Sequence, residues 1–159
     1  MKRIQPRLVF TNPVHFLAFG FGSGLAPLAP GTAGSLVGAL IAWWTADLPI
    51  EYKSVIAVTF LLAGVWICGK SARDIGVHDH PGIVWDEIAA IYAVLLLVPA
   101  TIPWWLAGFA LFRLFDIWKP WPIRDLDHRL QGGLGIMLDD VVAALYTAFF
   151  LAMGGWLIN

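Results

Sequence analysis

Ser54-Val55-Ile56-Ala57-Val58-Thr59-Phe60-Leu61-Leu62-Ala63-Gly64-Val65-Trp66-Ile67-Cys68-Gly69 contains no charged side chain. Read as a helix, it is apolar on every side and lacks the polar stripe of a surface helix. Three further stretches, 8–46, 88–112 and 141–159, are also free of Lys, Arg, Asp and Glu. Together they predict five apolar helices, near 33–46, 54–69, 86–98, 103–118 and 139–158. The second, fourth and fifth are apolar all round, which favours lipid over the interior of a soluble bundle. A spanning helix needs about 20 apolar residues. The helices at 33–46, 86–98 and 103–118 are therefore expected to be short or partly immersed.

Composition points the same way. Of 159 residues, 59% are hydrophobic and 13% charged, against about 25% charged in an ordinary soluble domain. The expected fold is all-α, a multi-span integral membrane helix bundle, with residues 1–159 as one membrane-embedded domain. The hydrophobicity excludes disorder, and the single Cys68 excludes a disulfide scaffold. A net charge of −1 lacks the basic excess of a nucleic-acid binder. Pro6, Pro13, Pro27 and Pro30 break the apolar run after the basic N-terminus, so no cleavable signal peptide is expected.

The few charges are clustered: Lys2, Arg3 and Arg7; Asp47, Glu51 and Lys53; Lys70 to Glu87; and Arg113 to Asp140. Five crossings from a cytoplasmic N-terminus put Lys2, Arg3, Arg7, Lys70, Arg73, Lys119, Arg124 and Arg129 inside and Lys53 alone outside. That is the positive-inside pattern. Trp43, Trp44, Trp104, Trp105 and Trp156 would mark the outer interface, and Trp66, Trp85, Trp118 and Trp121 the inner one. Every cluster with potential chemistry then faces the cytoplasm.

Four segments carry that chemistry. Gly22 to Ser35 ends in Gly31-Thr32-Ala33-Gly34-Ser35 at a helix start. Free N–H groups and the positive dipole end there suit an anion. The plain alternative is a loop capped by Thr32 or Ser35. Trp85-Asp86-Glu87 opens the third helix, and paired acids at a membrane surface suit a hard cation such as Mg²⁺. Dipole-stabilised capping is the alternative. In Phe112 to Ile123, Arg113, Asp116 and Lys119 share a helix face, and ionisable groups inside an apolar span point to function. A private Arg113–Asp116 ion pair is the alternative. Pro120 and Pro122 end that helix. Gly132-Gly133-Leu134-Gly135 leads to Asp139-Asp140 at the start of the last helix, repeating the acid pair. Five carboxylates facing one another would repel unless a divalent cation lay between them. Arg113 and Lys119 then remain to hold an anion.

Other polar groups signal less. His78, Asp79 and His80 form a His-x-His loop. Asp125 and Asp127 resemble the Asp-x-Asp of aspartyl-phosphate phosphatases only weakly, with Arg129 where a Thr or Val belongs and His128 between. Cys68 lies inside an apolar helix, where a thiolate is disfavoured.

The strings Gly22–Ser35, Val84–Glu87, Phe112–Ile123 and Gly132–Asp140, in this order, resemble the phosphatidylglycerophosphatase A family of Gram-negative bacteria over nearly the whole chain. The resemblance implies a Mg²⁺-dependent inner-membrane phosphatase. Such an enzyme converts phosphatidylglycerophosphate to phosphatidylglycerol and phosphate. The residues suit that substrate, which needs a cation, basic groups and an apolar bundle at an interface. Asp86, Glu87, Asp116, Asp139 and Asp140 are the expected metal ligands and catalytic acids, one of them a general base. Thr32, Ser35, Arg113 and Lys119 are the expected phosphate binders. Water attack and an aspartyl-phosphate intermediate both remain open. Two rival classes are a small divalent-cation transporter and a non-catalytic membrane subunit. A transporter would want acids deep in the helices, and EDTA-sensitive phosphate release separates it from an enzyme. A subunit would bind without turnover.

Overall fold

The structure is a computed structural model that describes residues 4–77, 80–121, 123 and 132–158. The described residues are helical, with no strand among them. Two short helices, α1 (Pro6–Thr11) and α2 (Pro13–Ala18), lead into a 3₁₀ segment, Gly20–Leu25. Five longer helices follow: α3 (Pro30–Trp44), α4 (Ile50–Ile75), α5 (Trp85–Leu96), α6 (Ile102–Trp118) and α7 (Gly133–Ile158).

The prolines that forbid a continuous N-terminal helix start several short ones. Pro6, Pro13, Pro30 and Pro103 each occupy the first or second position of a helix. A missing N–H costs nothing there, and φ is already helical. Asn12 caps α2 by accepting from the Val14 N–H at 2.9 Å.

The five expected helices are present with shifted ends. The second runs 26 residues, from Ile50 to Ile75, so Glu51, Lys53, Lys70, Arg73 and Asp74 ride on α4 instead of flanking it. The last begins at Gly133, which puts Asp139 and Asp140 inside α7 and not at its start. Ala29 at φ 48° is the N-cap of α3, so neither Thr32 nor Ser35 caps it. Lys119, left-handed at φ 45°, closes α6 just before Pro120.

α5 is the hub. It packs against α3, α4, α6 and α7 and buries Trp85, Asp86, Val94, Leu95 and all of 88–92. Its 12 residues span about 18 Å, less than a bilayer core. Small residues let its neighbours approach. A Cβ on Gly34 would lie 2.7 Å from Val84 Cβ, and one on Gly38 would lie 2.6 Å from the Ile88 carbonyl. α7 approaches α4 as closely, since a Cβ on Gly133 would overlap the Val65 carbonyl oxygen. Such contacts are the usual basis of helix association in lipid. Trp85 departs from the expected inner belt. It is 5% exposed and donates from Nε1 to the Phe60 carbonyl at 3.0 Å, a core role.

Among the described residues, two helices are long and apolar enough to cross a membrane: Ile50–Ile75 and Gly133–Gly155. α3, α5 and α6, at 15, 12 and 17 residues, fall short of that length. The outer face of α4 exposes Val55, Val58, Leu62 and Trp66, an apolar stripe along one side of the helix.

Candidate active site

The first turns of α3 and α5 and the second turn of α7 meet the C-terminal part of α6 at one end of the bundle. From α5 come Asp86 and Glu87, in its first turn. From α7 come Asp139 and Asp140. From α6 come Arg113, Asp116 and the closing Lys119.

Asp86, Glu87 and Asp140 converge, each offering one carboxylate oxygen within 4.8 Å of the others. Each acid pair is held locally. Asp86 Oδ1 accepts the Glu87 N–H at 3.1 Å, and Asp139 Oδ1 accepts the Asp140 N–H at 3.0 Å. Glu87 Oε2 and Asp140 Oδ1 are buried and receive no hydrogen bond. Unsatisfied carboxylate oxygens in a cluster of like charges are costly. The arrangement therefore fits a hard cation, with oxygen donors only and vacant lone pairs aimed inward.

The two cations border this cluster. Arg113 Nη1 lies 2.6 Å from Asp116 Oδ2 and 4.0 Å from Glu87 Oε1. Asp116 in turn adjoins Asp140, so the Arg113–Asp116 pair, the alternative reading of that spacing, is present but not private. Lys119 Nζ lies 2.7 Å from Asp139 Oδ2, tying the end of α6 to α7. The five acids thus divide. Three form the cluster, and Asp116 and Asp139 bridge it to the basic groups.

α3 supplies a small-residue wall. A Cβ on Gly31 would come within 2.2 Å of Glu87 Oε1 and 3.2 Å of both Arg113 terminal nitrogens. The N–H groups of Gly31 and Thr32 fall in the first turn of α3, where no intrahelical acceptor exists. Ser35 is fully buried. Its Oγ donates to the Gly31 carbonyl at 2.9 Å and receives Arg113 Nη1 at 3.4 Å. Ser35 therefore faces Arg113. Thr32 is half-buried. The close approach of Gly31 had no signal in the sequence beyond its place in a glycine-rich run.

Two of the remaining polar candidates, His80 and Cys68, are among the described residues. His80 Nδ1 accepts the Gly82 N–H at 3.0 Å, a turn contact. Cys68 is a free, buried thiol within α4. Lys2, Arg3, His78, Asp79, Arg124, Asp125, Asp127, His128 and Arg129, and the side chain of Trp156, lie outside the described residues.

Comparison with known proteins agrees with these motifs. The family profile described as phosphatidylglycerophosphatase A matches residues 16–154. Phosphatidylglycerophosphatase A of Escherichia coli is 46% identical over 150 residues, covering 92% of this chain and 86% of that protein. Its namesake in Haemophilus influenzae is 44% identical over 155 residues, covering 96% and 95%. A Bacteroides thetaiotaomicron protein described as a candidate phosphatidylinositol-3-phosphatase is 37% identical over 149 residues, covering 88% and 92%. No solved structure matches the chain.

Proposed function

The chain belongs to the phosphatidylglycerophosphatase A family, and from that membership we propose that it hydrolyses phosphatidylglycerophosphate to phosphatidylglycerol and phosphate in a Mg²⁺-dependent reaction. The chain is a phosphatase; the substrate, metal and membrane setting are the proposal. One observation carries it. Three convergent carboxylates, two with unsatisfied oxygens, lie beside a guanidinium at the end of an apolar bundle.

Asp86, Glu87 and Asp140 would hold the cation, with Asp116 and Asp139 completing the acidic set. Bound Mg²⁺ would offset phosphate charge and orient or activate water. Arg113 and Lys119 take the phosphate oxygens, each held by its acid, Asp116 or Asp139, until substrate arrives. The Gly31 and Thr32 N–H groups add donors at the positive end of α3. Ser35 positions Arg113. One carboxylate of the acidic set takes the proton from the attacking water.

The setting follows from the sequence pattern. α4 and α7 cross the bilayer, and the shorter α3, α5 and α6 sit within it as partly immersed members of a multi-pass bundle. Among the described residues, Lys70 and Arg73 of α4 lie toward the same end as Arg113 and Lys119, and by the positive-inside rule that end faces the cytoplasm of the bacterial inner membrane.

The test is phosphate release by purified protein in detergent micelles. Phosphatidylglycerophosphate, phosphatidate and phosphatidylinositol 3-phosphate are compared at equal mole fraction. The highest kcat/KM on phosphatidylglycerophosphate supports the assignment. Faster release from either of the other two lipids overturns it.

A further inference from the structure

We propose that one acyl chain of the lipid substrate lies in the groove between α3 and α6, a placement that rests on the reading of the site as a lipid-phosphate site. These two helices flank α5 and meet each other only marginally. The gap they leave is an apolar cavity of about 590 Å³, within the usual range for a ligand cleft. Its walls are Leu36, Ala39 and Trp43 of α3 and Trp105, Leu106 and Phe109 of α6.

The wall spacing connects the groove to the chemistry. Positions 36, 39 and 43 form one stripe of α3, and 105, 106 and 109 one stripe of α6. One turn further along each stripe stand Thr32 and Arg113, both already at the site. α3 runs away from the site and α6 runs toward it, so both stripes reach their polar ends together. That end is where Arg113 meets Ser35 of α3 at 3.4 Å. A molecule with a phosphate against Arg113 and, beyond a polar glycerol-phosphate linker, a hydrocarbon tail matches this order of surfaces. The stripe from Leu36 to Trp43 covers about 10 Å of tail at 1.5 Å per residue. Asp47 and Thr101 lie at the far mouth, so no charged group interrupts the path. Leu36, Trp43 and Leu106 are 53%, 66% and 65% exposed, leaving the groove open sideways to the membrane. The purely apolar hollow lined by Leu61, Val94 and Leu145 has no such polar terminus.

The test compares kcat/KM on long-chain and dihexanoyl phosphatidylglycerophosphate. Ala39→Trp fills the groove and should lower the long-to-short ratio about tenfold or more, mainly through KM. Val58→Trp, on the exposed face of α4, should keep the wild-type ratio. An unchanged ratio in Ala39→Trp overturns the proposal. Should that variant fail to fold, unaltered protein is photolysed with phosphatidylglycerophosphate carrying a diazirine on one acyl chain. Crosslinks within 36–43 or 102–109 support the groove, and crosslinks confined to α4 or α7 overturn it. Failure of the phosphatase reading looks different, because wild-type protein then turns over neither chain length.

Discussion

Gly31 and Glu87 are packed so closely that a methyl group on the glycine would lie 2.2 Å from Glu87 Oε1. α3 reaches the acidic cluster only because this position has no side chain. Gly31→Ala must displace Glu87 or tilt the first turn of α3. A shift near 1 Å in a catalytic constellation costs about 10²-fold in rate, so kcat on phosphatidylglycerophosphate should fall by about that factor. Gly154→Ala is the control, since nothing lies within 4 Å of a Cβ there, and it should retain wild-type kcat.

The Lys119–Asp139 pair at 2.7 Å is partly shielded, with side chains 26% and 12% exposed. Removing one partner takes a charge-assisted hydrogen bond from a part-buried group, which costs about 1.5–3 kcal/mol. Lys119→Met and Asp139→Asn should each lower thermal stability in detergent by an amount in that range. The double variant should be more stable than the sum of the two losses. It should still lack activity, because the phosphate has lost Lys119. A double variant with wild-type kcat/KM contradicts the role of Lys119 in binding.

Leu62 separates a lipid face from a water face. It is 69% exposed on α4. On a soluble surface Leu62→Lys is harmless, whereas mid-bilayer lysine costs about 2.5–3.5 kcal/mol. The variant should lose stable membrane integration, read as carbonate-extractable or degraded protein. Wild-type membrane yield contradicts the crossing of α4.

His15 gives the fold a pH dependence away from the site. Its ring is 2% exposed, and Nδ1 pairs with Ser71 Oγ at 2.9 Å. Burial holds its pKa below 6.5, with Asp74 opposing and Lys70 reinforcing the shift. The neutral ring is thus favoured in the fold. The unfolded chain takes up a proton near pH 6.5, so this contribution is complete above that pH and is lost as pH falls below it. His15→Gln should lower stability at pH 7.5 and flatten the decline below 6.5. An unchanged acid limb in thermal melts from pH 5 to 8 contradicts this role.

Much of this organisation was legible in the sequence because charge is so rare there. The four charge-free stretches marked most of the helical chain, and adjacent acids at Asp86-Glu87 and Asp139-Asp140 marked the candidate site. Helix ends were misjudged where charge was equated with loop. Lys70, Arg73 and Asp74 continue α4, stabilised in part by the Lys70–Asp74 pair one turn apart. The glycine run 132–135 reads as a lead-in to a helix starting at Asp139, yet α7 starts at Gly133, where a Cβ would overlap the Val65 carbonyl. Trp85 read as a belt residue since composition does not distinguish an interfacial indole from one bonded to a buried carbonyl. The Arg113–Asp116 pair was visible as a spacing of three residues. Lys119–Asp139 spans two helices and twenty residues, a contact that no local spacing encodes.

On the proposed mechanism, Asp86, Glu87 and Asp140 hold a divalent cation needed for hydrolysis. The most direct measurement is phosphate release from phosphatidylglycerophosphate by wild type and Asp140→Asn. Each is assayed with Mg²⁺, with EDTA, and with Mg²⁺ restored, alongside a thermal melt under each condition. Wild type should turn over only with Mg²⁺ and gain thermal stability from it. Asp140→Asn should show neither effect, yet melt higher than wild type in EDTA because one of the repelling charges is gone. Turnover by wild type in EDTA, or full Mg²⁺-dependent activity in folded Asp140→Asn, would contradict the assignment.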